Sequence, residues 1–152
     1  MTAERPERGL LDTNILILRR RVDGAELPDE MAISTVTLAE LSAGPHEVRS
    51  DDEQSTYDER AERARRMSVL QRAEADFDPI PFDTEAARIY GQVAAAIAIG
   101  RKPRARVADL MIASTAIAEG LALFTTNPDD FLGLEHLLTV VPVTRPLVPH
   151  EH

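Results

Sequence analysis

Cysteine and tryptophan are both absent from the 152 residues. Without cysteine there are no disulfides and no thiolate metal ligands. Aromatics are scarce: four Phe and two Tyr stand in a chain that is 43% hydrophobic and rich in Ala and Leu. That balance favours helices over an aromatic-rich all-β sandwich. No apolar run approaches the roughly 18 residues of a membrane span. The opening Met1-Thr2-Ala3-Glu4-Arg5-Pro6-Glu7-Arg8 is charged, with no apolar stretch behind it of signal-peptide length. One cytoplasmic domain is expected over residues 1–152, with its core between about 9 and 143 and no membrane attachment.

Positive charge is also in short supply. Seventeen Lys and Arg face 26 Asp and Glu, for a net charge of −9. A protein that coats nucleic acid nonspecifically needs the opposite balance, because phosphate binding is driven by Lys and Arg. The basic residues are nevertheless clustered, at Arg19-Arg20-Arg21, at Arg60, Arg63, Arg65 and Arg66, and at Arg101, Lys102, Arg104 and Arg106. A basic rim beside an acidic pocket is what a metal-dependent phosphodiesterase needs. Solvated helix ends explain any one cluster equally well.

The pattern along the chain is short apolar strands alternating with helices. Gly9 to Asp12 reads as a buried strand, with Asp12 or Thr13 capping the apolar segment behind it. Met31 to Ile33 is a second strand, and Ser34-Thr35 caps a helix that stops at Gly44-Pro45. A long helix is expected from Asp51-Asp52 to about Ala75, then an extended Pro79 to Phe82. A further helix runs to Gly100, and a strongly apolar one from Val107 to Glu119 stops at Gly120. Leu121 to Thr125 is a central strand, Pro128 to Leu132 a turn or short helix, and Thr139 to Val143 a last strand. This order indicates an α/β domain with a mostly parallel sheet. Sites in such sheets lie at the carboxyl ends of strands, where Asp12 and Asn127 both fall.

Four acidic positions sit against apolar runs. Asp12 closes Gly9-Leu10-Leu11, and Glu40 lies within Val36-Thr37-Leu38-Ala39-Glu40-Leu41. Asp109 opens Leu110 to Ala113, and Asn127, Asp129 and Asp130 follow Leu121 to Thr126. A buried carboxylate costs several kcal/mol, and several at one place cost more unless a cation joins them. Hard cations such as Mg²⁺ take oxygen ligands, so this set reads as a candidate metal site. Each member also has an ordinary explanation: a helix cap at Asp12, an exposed helix residue at Glu40, a macrodipole charge at Asp109, a turn at Asn127-Pro128-Asp129-Asp130.

Their order along the chain carries more. Leu10-Leu11-Asp12-Thr13-Asn14-Ile15-Leu16, then Ser34 to Leu41, then Ala108-Asp109-Leu110-Met111-Ile112-Ala113, then Thr125-Thr126-Asn127-Pro128-Asp129-Asp130-Phe131 resembles a PIN-domain nuclease. Within that superfamily it is similar to the VapC toxins of bacterial toxin–antitoxin pairs. The resemblance spans about Gly9 to Val143. It implies a PIN-like α/β/α sandwich, a Mg²⁺- or Mn²⁺-dependent endoribonuclease, a homodimer, and silencing by a VapB-type antitoxin. It also implies that Asp12, Glu40 and Asp109 bind the metal. Asn127 then takes a fourth position that is often Asp in the family, and Asp130 is the Asp before Phe. Thr125 and Asn14 match polar positions that orient water or a carboxylate.

The expected chemistry is hydrolysis of RNA phosphodiester bonds by metal-activated water, with no side-chain nucleophile. His46, His136, His150 and His152 adjoin no acidic motif, and His46 and His136 are expected on the surface. A haloacid-dehalogenase phosphatase would need a second Asp where Asn14 stands. A receiver domain would need paired acids at the first strand. The non-enzyme alternative is a PIN-like RNA-binding or protein-interaction module, which the neutral Asn127 keeps alive. For an antitoxin helix the expected seat is the segment from Tyr57 to Leu70.

Overall fold

In the computed structural model, residues 5–49, 58–99 and 106–147 are described. Four parallel strands form one sheet: β1 (Arg8–Leu11), β2 (Glu30–Ala32), β3 (Ala122–Thr125) and β4 (Val140–Pro142), in the order β2-β1-β3-β4. The register sets Leu10 beside Ala32 on one side and Leu123 on the other. Parallel neighbours require crossovers, and the helices supply them: α1 (Thr13–Ile17), α2 (Thr35–Ala43), α3 (Glu59–Asp76), α4 (Thr84–Ile99) and α5 (Val107–Glu119).

Side chains alternate across the sheet and build two separate cores. Leu10 and Leu123 point to one face, where they meet Val93 and Ile97 of α4 and Leu110, Ile112, Ala113 and Ala116 of α5. Leu11, Ala122 and Phe124 point to the other, where they meet Ile15, Leu16, Val69 and Ala73 from α1 and α3. Both faces are therefore covered, which explains why the central strands read as unbroken apolar runs. The α/β/α sandwich expected from the sequence is what forms.

Gly9 has a specific reason to be glycine. A Cβ there would fall 2.3 Å from Cε1 of Phe124, the largest fully buried side chain. Gly120 ends α5 at φ +66°, a left-handed cap that glycine adopts without strain.

Most expected boundaries hold to within a residue or two. The long helix differs. It begins at Glu59, because Asp58 takes an extended backbone and accepts hydrogen bonds from Arg60 N and Ala61 N. Asp58 thus supplies the cap expected of Asp51-Asp52, which lie outside the described residues, as does the basic loop through Arg104. The Pro79 to Phe82 segment makes one isolated parallel bridge, Ser34 to Ile80, in place of a full strand. Two prolines in four residues leave too few amide donors for a ladder.

Candidate active site

Asp12, Glu40 and Asp109, from three different elements, line one cavity of about 360 Å³ at the carboxyl end of the sheet, together with Glu47 and Glu62. Asp12 leaves β1 and is the N-cap of α1, its Oδ1 accepting from Thr13 N at 2.9 Å. Its Oδ2 accepts from Thr125 Oγ1 at 2.8 Å, across 113 residues of sequence. The strand end, the cap and the neighbouring strand therefore fix one buried carboxylate. Glu40 arrives from the middle of α2 and is half-buried; its Oε1 accepts from Thr13 Oγ1 at 2.7 Å. Thr13 Oγ1 also lies 3.1 Å from Thr37 Oγ1. Asp109 sits in the first turn of α5, where its Oδ2 accepts from Arg106 N at 3.1 Å.

Asp12 and Asp109 each fill the ordinary role of a helix-terminus acid and also line the cavity. Each satisfies a helix terminus with one oxygen and turns the same carboxyl group into the cavity. Burial raises the Asp12 carboxyl from 3.8 to about 6, with the negative charges of Asp109 and Glu40 adding to the rise and the bonds from Thr125 and Thr13 opposing it. A carboxyl held that high is desolvated and pressed by its neighbours.

One guanidinium stands over this group. Arg106 lies 3.8 Å from Glu40 Oε2 and 3.9 Å from Asp109 Oδ2, with its side chain 75% exposed. At that exposure solvent screens most of the attraction.

The fourth expected position behaves differently. Asn127 adjoins the site through its backbone, donating N–H to Thr125 Oγ1 at 3.0 Å, while its Oδ1 accepts from Arg145 at 3.4 Å. Asp129 and Asp130 lie in a short 3-10 turn, Pro128–Phe131, that anchors itself by burying Phe131. Neither Asn127 nor Asp130 is among the residues lining the cavity. Asn14 is, and Thr125 bonds the Asp12 carboxylate as its expected orienting role requires. His46 and His136 are exposed.

Other participants lie outside the sequence motifs. Thr13 joins two of the acids, with its backbone N–H on Asp12 and its hydroxyl on Glu40. Glu62, Arg65 and Arg66 of α3 reach the same cavity from the opposite wall. Arg65 and Arg66 belong to one of the basic clusters read from the sequence, and with Glu62 they form an ion-paired helix face at i, i+3 and i, i+4 spacing. Beside Thr125, the Oγ1 of Thr126 is buried with no hydrogen-bond partner.

Among the described residues, no group of three or more His, Cys, Asp or Glu stands close enough to hold a metal ion as the side chains lie. The donor chemistry still fits a hard divalent cation. All the donors are oxygens, and one of them is a buried carboxyl crowded by two other acids.

A family model described as the PIN domain matches residues 9–136. The chain belongs to the PIN-domain family. Ribonuclease VapC5 of Mycobacterium tuberculosis (strain ATCC 25618 / H37Rv) is 33% identical over 138 residues, which is 89% of this chain and 93% of that protein. That likeness places this PIN domain with the VapC proteins. The crystal structure of VapBC-5 from M. tuberculosis, a toxin–antitoxin complex, matches with a TM-score of 0.72 and 32% identity, covering 89% of this chain and 96% of the other. The DNA-bound VapBC of Salmonella typhimurium matches with a TM-score of 0.59 and 25% identity over 90% and 97%. The fold of this PIN domain is therefore the fold of VapC structures.

Proposed function

We propose that the chain is a Mg²⁺- or Mn²⁺-dependent endoribonuclease that acts in the cytoplasm as the toxin of a VapBC-type pair. In this reading it works as a homodimer and is silenced by a VapB-type antitoxin. The observation that carries the proposal is the convergence of Asp12, Glu40 and Asp109 on one cavity at the carboxyl end of a parallel sheet. The relationship to a ribonuclease and to toxin–antitoxin complexes supports the same reading.

A divalent cation held by Asp12, Glu40 and Asp109 would supply Lewis-acid stabilisation of a scissile phosphate and a more acidic water. The remaining work falls to residues of the chain. Thr125 and Thr13 N–H hold the Asp12 carboxylate in one orientation from both its oxygens. Thr13 Oγ1 holds one oxygen of Glu40 and leaves the other facing Arg106. Arg106, exposed at the mouth, is placed to meet a phosphate oxygen once the acids beneath it are neutralised. Asn127 and Asp130 contribute at the margin, through Thr125 and the turn that carries Phe131.

The test is incubation of mixed cellular RNA with the protein in Mg²⁺ or Mn²⁺, beside Asp109→Asn and an EDTA control. Discrete fragments that need the metal and vanish in the variant support the nuclease reading. An intact RNA pool with folded wild-type protein leaves the non-catalytic binding module.

A further inference from the structure

The cavity that holds the carboxylates has a second end of different chemistry. Ile17 of α1, Leu41 of α2 and Val69 of α3 form an apolar wall there. Leu41 and Val69 are built into the core, whereas Ile17 is 53% exposed, the wrong side for a residue that only packs. Above the wall runs a rim from α3. Glu62 Oε1 accepts from Arg66 Nε at 2.9 Å, and Glu62 Oε2 accepts from Arg65 Nη1. Arg66 Nη1 also donates to the Gly44 carbonyl at 2.9 Å, where α2 ends. One carboxylate therefore fixes two guanidinium groups, and Glu47 lines the same cavity as a further acid. Arg65 is the more exposed of the two, at 59% of its side chain against 37% for Arg66.

We propose that this end of the cavity is a subsite for one nucleobase of the RNA, adjacent to the phosphate that the carboxylate end would hold. The proposal rests on the nuclease reading above. The base lies against Ile17, Leu41 and Val69, and Arg65 reads its edge, while Arg66 pins Glu62 and α2 in place.

Three features favour a nucleobase. A polynucleotide joins a flat ring to an anionic phosphate through one sugar, and this cavity is lined both by Ile17, Leu41 and Val69 and by the acids that would hold the phosphate through a metal. At about 360 Å³ the volume lies at the small end of ligand pockets, which run from about 300 to 1,000 Å³. Guanidinium planes stack on bases and donate hydrogen bonds to acceptors on their edges. An apolar side chain from a partner helix would use the wall but gain nothing from Arg65. Because a guanidinium only donates, the edge it reads must accept, as O6 and N7 do on guanine. A guanidinium fork meets two adjacent acceptors, so the subsite should prefer guanine over adenine and uracil, which offer no such pair.

The experiment uses the full chain and fluorescein-labelled single-stranded RNA oligomers identical except for one nucleotide, varied at each position in turn. Binding is read by anisotropy without added divalent cation, and cleavage is read on the same oligomers with Mg²⁺. At one position the wild type should favour G over A and U by roughly fivefold or more, the low end for a bidentate base contact. Arg65→Gln should remove that preference, and Ile17→Ala should weaken binding of all four oligomers. Both positions are exposed, so the variants should fold. A wild type without base preference overturns the subsite, as does a preference for A or U, or one that survives Arg65→Gln. Cleavage without a base preference breaks the subsite alone; a base preference in binding without cleavage supports the subsite and breaks the nuclease reading. Loss of antitoxin binding in the Ile17 variant, with RNA preference unchanged, would assign the wall to a protein and overturn the proposal.

Discussion

The chain makes two acidic turns at the carboxyl ends of neighbouring parallel strands, and the structure treats them in opposite ways. After β1, Asp12 is 4% exposed, bonded through both oxygens, and raised to about 6. After β3, Asp129 and Asp130 lie in a surface turn whose fixed point is the buried ring of Phe131. Both stretches are short, polar and next to an apolar strand. The difference is what approaches them. Glu40 and Asp109 come up to Asp12 from α2 and α5, while the second turn receives Arg145 on Asn127. An acid after a strand becomes a candidate site residue when other acids converge on it and water is excluded. Position at a strand end is not enough.

The sharpest way to break this comparison is substitution at both turns. Asp12→Asn and Asp109→Asn should each lower the rate of RNA cleavage by about 10²-fold or more, the scale of losing a group that stabilises transition-state charge. Asp130→Asn should cost less than about tenfold. Single-turnover rates on one RNA check this, and equal losses at Asp12 and Asp130 would erase the distinction.

Next in size is the pH dependence of stability without metal. The Asp12 carboxyl is higher in the folded chain than in the unfolded one, so the folded state holds more protons between about pH 4 and 6. Stability from this group is greatest below the unfolded value and is lost as pH rises through about 6. A rise from 3.8 to about 6 corresponds to about 3 kcal/mol across that window, an order-of-magnitude figure. Asp12→Asn should flatten that part of the profile. Denaturant melts of the two proteins at pH 4.5 and 7.5 test it, and identical pH slopes would refute it.

Divalent metal should act in the same direction as the Asn substitution, by neutralising the same charge. At a hundredfold excess over its Kd, Mg²⁺ or Mn²⁺ should stabilise the wild type by about 2.7 kcal/mol and Asp109→Asn by much less. Thermal melts with and without EDTA would show it. A stabilisation equal in both proteins would place the ion elsewhere.

Smaller still is the effect of the hydroxyl that joins two acids. Thr13→Val removes the bond to Glu40 and leaves the backbone bond to Asp12 intact. It should lower kcat by about tenfold, the equivalent of a charge-assisted hydrogen bond of about 1.5 kcal/mol, with KM nearly unchanged. Thr13→Ser should restore it. If Ser fails to rescue, the methyl group and not the hydroxyl is what matters at that position.

The strand and helix order, the parallel sheet and three of the acids were legible in the chain for physical reasons. Apolar runs of strand length between capped, helix-period segments admit few arrangements, and Asp12, Glu40 and Asp109 each break such a run. The start of α3 was not, because Asp51, Asp52 and Asp58 are all cap-forming residues that the sequence pattern does not rank, and Asp58 is the one that caps Glu59–Asp76. Nor could the residues near 127 be sorted, since Asn, Pro and Asp build turns whether or not they carry chemistry.

By itself, then, the sequence determined the alternation of buried strands and covering helices, because hydrophobic period and caps are local properties. It also determined that several carboxylates would meet apolar surroundings. Which carboxylates share a cavity was decided by tertiary structure, because the hydrogen bond from Thr125 to Asp12 spans 113 residues and depends on β1 pairing with β3. The same holds for the arginines of α3. On a helical wheel they are a solvated charged face, and only the packing of α3 beside α1 and α2 turns them toward the wall of the site.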